Sequence, residues 1–186
     1  MRPMRGWWRS VRNWWALAAV AGMAALLAAV GQVYTGAGAG AAILTLSARF
    51  EEAVWRPRVD GPAEGVRCWS ELLEFAQAEQ AETGWSFVVY GLGNMGEWQI
   101  KAGDTAAGLD SMRRAVETAY TGYGPGHFHV LMTEYAYAHA LHNAGEREQA
   151  YELMNRLAEE AGQLLGEAHQ LTTDAREALR SWSASG

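Results

Sequence analysis

Cysteine is nearly missing from this chain: Cys68 is the sole one in 186 residues. A lone thiol excludes an internal disulfide and any zinc site built from several thiolates. Lysine is as scarce, with Lys101 the only one among 15 basic residues. No charged residue of either sign occurs between Arg12 and Arg49. Residues 1–12 carry Arg2, Arg5, Arg9 and Arg12 without an acid, so a net charge of −6 leaves −10 for the remainder. An acidic body repels phosphate backbones, which argues against nucleic acid as a partner. Strand signals are almost absent too. The one β-like run, Ser86 to Tyr90, lies inside a helical period, and an all-α fold is expected.

What the chain does have begins with an anchor. Trp14 to Val33 is apolar except for Gly22, Gly31 and Gln32. At ~1.5 Å per residue this stretch spans about 30 Å, the thickness of a hydrocarbon core. Trp7, Trp8, Trp14 and Trp15 stand at one end, where an aromatic belt holds the headgroup level. The run is too long for the apolar core of a cleaved signal peptide. The expected organisation is a basic cytoplasmic N-terminus over 1–12 and a transmembrane helix over 13–34. A juxtamembrane segment over 35–60 and a helical domain over 61–186 follow. Cell-membrane location with one crossing is expected. Ala41 to Ala48 is expected either as a juxtamembrane helix running on through Glu51, Glu52 and Trp55 or within the returning half of a hairpin, from about Val33 to Ala48, which would keep the helical domain in the cytoplasm. Gly36, Gly38 and Gly40 are expected to break or loosen the helix, and Arg56-Pro57 to punctuate the chain.

A repeat organises the rest. Gly166-Glu167-Ala168-His169 stands 42 residues after Gly124-Pro125-Gly126-His127. Ala144-Gly145-Glu146 to Ala150 stands at the same distance after Ala102-Gly103-Asp104 to Gly108. Two different loops share one period, the signature of stacked repeats. Apolar spacing predicts helices over about Glu64–Glu82, Trp85–Ala102, Asp104–Tyr123, His127–Ala144, Glu146–Leu165 and His169–Trp182. Small residues pair twelve apart, Gly96 with Gly108 and Ala138 with Ala150, so that the helices of each pair approach closely.

This pattern resembles the tetratricopeptide repeat. The 42-residue period, the Gly-x-x-His loop and the Ala-Gly-acidic turn look most like the long variant of kinesin light chains, which also abounds in actinobacterial repeat proteins. That loop usually continues His-Pro; here the proline is missing from both copies, and the loop before Trp85 lacks the motif. The resemblance covers residues 84–182. It implies a solenoid whose first helices line a concave groove for a protein or peptide. In that register Tyr90, Gly93, Glu97 and Ile100 face inward, then Met132, Tyr135, His139 and His142, then Asp174 and Glu177. A mildly acidic, aromatic groove suits a basic or amphipathic ligand.

Chemistry is weakly signalled. His127, His129, Glu134, His139 and His142 cluster in sequence, but the recurrence of His127 as His169 points to a helix-capping role rather than a metal. Gly91-x-Gly93-x-x-Gly96 lacks the strand a dinucleotide loop requires. No enzyme, cofactor or metal is expected. The reading is a membrane-anchored interaction adaptor. The alternative is a structural subunit of a membrane complex that assembles through its repeats, with homo-oligomers; the charged last helix, with Asp174, Arg176, Glu177 and Arg180, looks instead like a cap.

Overall fold

The computed structural model describes residues 37–78 and 85–184. The expected basic N-terminus (1–12) and transmembrane helix (13–34) lie outside the described residues. Among the described residues, no helix is long and apolar enough to cross a membrane. Seven helices and no strand make up the described secondary structure: α1 (Ala37–Asp60), α2 (Pro62–Ala78), α3 (Trp85–Lys101), α4 (Thr105–Tyr123), α5 (Phe128–Ala144), α6 (Arg147–Leu165) and α7 (Gln170–Ser183). The fold is all-α, and Ser86 to Tyr90 form the first turns of α3. The chain divides into two compact units, residues 1–48 and 49–186.

α1 departs from two expectations. Gly38 and Gly40 are helical, and the helix runs through Pro57 to Asp60. Proline removes one backbone donor and ordinarily breaks a helix. Pro57 is fully buried, however, so its ring contributes apolar contact where the lost hydrogen bond weakens the turn. The stop comes at Gly61, whose φ of 97° only glycine adopts freely and whose N–H donates to the Pro57 carbonyl at 3.0 Å. Phe50 meets Trp69 edge-on at 5.5 Å and Phe87 at 6.2 Å, so the second half of α1 packs on α2 and α3.

The helix starts obey the repeat. Asp104 caps α4, its Oδ1 accepting from the Ala107 N–H at 3.0 Å. His127 and His169 cap α5 and α7 with nearly identical backbone, φ/ψ of −69°/141° and −68°/141°. In each, Nδ1 accepts the N–H two residues on, from His129 and from Leu171, both at 3.2 Å. Within each pair the turn is a left-handed glycine, Gly103 at φ 96° and Gly145 at φ 94°.

From α2 to α7 each helix whose neighbour is described packs on the next, and α3 also touches α5. α3 and α4 approach backbone to backbone. A Cβ on Gly96 would stand 2.6 Å from the Gly108 carbonyl oxygen and 2.7 Å from Met112 Cγ. In the α5–α6 pair the corresponding Ala138 and Ala150 are both 0% exposed. Large apolar side chains fill the space beside these narrow seams. Trp69, Leu72, Leu131, Met154 and Leu157 are wholly buried, and each aliphatic one contributes about 1.5–3 kcal/mol.

Candidate protein-binding groove

Three helices carry the predicted groove residues. On α5, the spacing of Tyr135, His139 and His142 puts all three on one stripe, which meets α7. The Tyr135 and His139 rings stand edge to face at 4.6 Å. Trp182, near the end of α7, lies 5.2 Å from His139 and stacks on His142 at 4.2 Å with only 9° between the planes. Met132 and Tyr135 also pack against the α5–α6–α7 core. Burial pushes the Tyr135 phenol well above the usual range, and the nearby charges of Asp174 and Glu177 add to the effect. Burial also raises the Asp174 carboxyl, as does Glu177, against a hydrogen bond from Gln170 at 2.6 Å.

Tyr90 belongs to a second ring group at the start of α5. Its hydroxyl is hydrogen-bonded to His129 Nδ1 at 2.9 Å, and burial lifts its pKa to about 12. Tyr123 stacks on His127 at 4.7 Å and tilts against His129 at 4.9 Å. Glu97 is ion-paired with Lys101 at 2.7 Å, and the Lys101 ammonium lies 4.1 Å from the Trp98 ring centroid. Ile100 leans on Gly108, in the seam with α4. Trp182, Tyr123 and His129 did not emerge from the repeat register. The signal available for Trp182 was its position two turns beyond Asp174 on the same helical face.

The five-residue cluster of histidines with Glu134 divides into three places. His127 and His129 stay with the tyrosines, and His139 and His142 with Trp182. Glu134 faces the other way, wholly buried, accepting from the Tyr120 hydroxyl at 2.9 Å and from Arg156 at 3.0 Å. Capping further removes His127 and His169 as metal ligands. With the Nδ1 lone pair accepting a backbone N–H, the neutral ring keeps its proton on Nε2 and has no lone pair to offer. Among the described residues no three His, Cys, Asp or Glu side chains converge on a point where an ion could sit. Gly91 and Gly96, from the glycine-rich run, lie in mid-helix against Leu73 and Gly108.

Neither a protein-family model nor any curated protein matches this chain. The geometry therefore carries the functional reading. It offers aromatic and imidazole rings in series beside the carboxylates of Asp174 and Glu177.

Acid weakens this face. Burial, then His142, holds the pKa of His139 down to about 4 from an ordinary 6.5. His129 and His142 are also lowered, chiefly by burial. Above the unfolded value the imidazole is neutral in both states and contributes no pH dependence. Between 6.5 and about 4 the unfolded chain takes up the proton first, so stability is lost as pH falls. Asp174, raised in the folded state, works in the opposite sense. Thermal melts at pH 7, 6 and 5 should show a falling midpoint, and His139→Phe should flatten that fall. An equal slope in the variant would assign the effect to other groups.

Proposed function

We propose that the protein is a membrane-anchored adaptor of tetratricopeptide type, without catalytic activity, whose groove along α3, α5 and α7 holds a basic or amphipathic segment of a partner protein. The observation that carries this reading is the state of Asp174 and Glu177. They adjoin Tyr135, and neither forms an ion pair among the described residues. Asp110 and Glu117 engage Arg113, and Glu167 engages Arg176. Carboxylates left without a cation beside aromatic rings favour a cationic ligand through charge and cation–π attraction. The 42-residue recurrence of one capping geometry supports the repeat assignment on which the groove depends.

Selection of a displayed peptide library against the full chain in detergent tests this. Basic or amphipathic sequences should be enriched. The pair Asp174→Asn with Glu177→Gln should weaken the selected peptides about tenfold or more, in line with the loss of two charge-assisted contacts. Absence of any enrichment, or equal binding by the double variant, would contradict the reading.

A further inference from the structure

The first and last described helices differ in what they turn outward. α7 presents charge, with Glu177 exposed and Arg176 paired to Glu167. α1 presents Trp55, 61% exposed, and Val59, 85% exposed, the two most exposed large apolar side chains among the described residues. End helices of a stack normally show a polar outer face. α1 turns Phe50, Ala53 and Pro57 inward, and among its exposed charged residues it leaves Trp55 and Val59 with nothing described to cover them.

Trp55 is also held in place. Its Nε1 donates to Glu51 Oε2 at 2.9 Å, one turn back. The Arg58 guanidinium lies 4.9 Å from its ring centroid. The neighbouring arginines spend their charge inside the unit: Arg56 reaches Glu52, Asp60 and Glu64, and Arg67 reaches Glu64 and Glu71. Arg58 has no carboxylate partner among the described residues, and Glu51 has no cation. A fixed, exposed tryptophan beside an unneutralised arginine has the composition of an interface hot spot.

Glu51, Trp55 and Arg58 are spaced four and three apart, on one stripe of α1. Reversing a helix about Trp55 brings the position of Glu51 opposite that of Arg58. The stripe thus complements itself in charge, as a contact across a two-fold axis requires. From this we infer that the Trp55 face of α1 binds a second copy of the same chain, antiparallel, with Arg58 of each copy meeting Glu51 of the other and the two Trp55 rings at the centre. A negatively charged lipid surface does not fit, because Glu51, Glu52 and Asp60 border the patch. Two apolar side chains per copy fall short of a permanent interface, so the contact is reversible.

Sedimentation equilibrium of the full chain in detergent, over a concentration series, decides the matter. The expected result is a concentration-dependent passage from one copy to two. Trp55→Ala should weaken it about tenfold or more, and Arg58→Glu by a similar factor. Glu51→Arg combined with Arg58→Glu should restore it to within about threefold of the parent. Trp55 and Arg58 are exposed and Glu51 is half-buried, so melting temperatures should stay level and separate loss of association from loss of fold. A one-copy mass at every concentration, or a dimer indifferent to Trp55→Ala, would overturn the inference. So would a dimer that the double charge exchange fails to restore. None of these outcomes depends on whether the groove holds a peptide.

Discussion

Valine in place of Gly96 or Gly108 should lower the unfolding free energy by about 3 kcal/mol or more, as judged by denaturant or thermal unfolding. A Cβ at either position would stand 2.6 Å from the other's carbonyl oxygen, and at Gly108 another 2.5 Å from Ile100 Cγ1. Backbone cannot rotate out of the way as a side chain can, so the two helices must separate. Gly96→Ala sharpens the test. On helix propensity alone, alanine gains about 1 kcal/mol over glycine in a helix interior. The crowded seam instead predicts a net loss for this substitution. A stabilised Gly96→Ala would show that α3 and α4 are not packed backbone to backbone.

The second large effect concerns Glu134. Its side chain is wholly buried, its Oε1 shared between Tyr120 and Arg156, and its Oε2 without a protein partner among the described residues. Arg156 is 63% exposed at its side chain, so solvent screens its half of the pair. Arg156→Ala should cost about 2–4 kcal/mol, because a buried carboxylate is left with one hydroxyl for company. Glu134→Ala should cost a similar amount, by opening a cavity between α4, α5 and α6. Glu134→Leu should stay within about 1 kcal/mol of the parent, since removing charge and need together while keeping volume is often neutral. If Leu were as damaging as Ala, the carboxylate itself would be indispensable. Chemical denaturation of the three variants provides the comparison.

Much of this fold was legible because small and turn-forming residues fall at fixed offsets. The glycines at 103 and 145 need a left-handed backbone, and His127 and His169 occupy matching caps, so local chemistry and long-range order agree at those points. α1 was harder to read. Gly38, Gly40 and Pro57 signal a break locally, and burial of Pro57 overrides the signal, as tertiary context overrides propensity elsewhere. The ring groups were legible only in part. Tyr135, His139 and His142 share a stripe that sequence spacing reveals, but their contact with Trp182 depends on how α7 crosses α5, which spacing does not encode. Glu134 has a buried place that was not legible from the cluster it joins in sequence. It is adjacent to Tyr135 in sequence, yet one residue along a helix is a rotation of about 100°, which carries it to the α4–α6 side.

The central claim is that residues 42 apart play the same part in successive helix pairs. Nuclear Overhauser contacts in the full chain in detergent test it most directly. The account predicts a strong contact between the methyl groups of Ala138 and Ala150, matched by one between the α-protons of Gly96 and Gly108. Ala138 contacts that lead to any helix other than α6, or the absence of the Gly96–Gly108 contact, would contradict it.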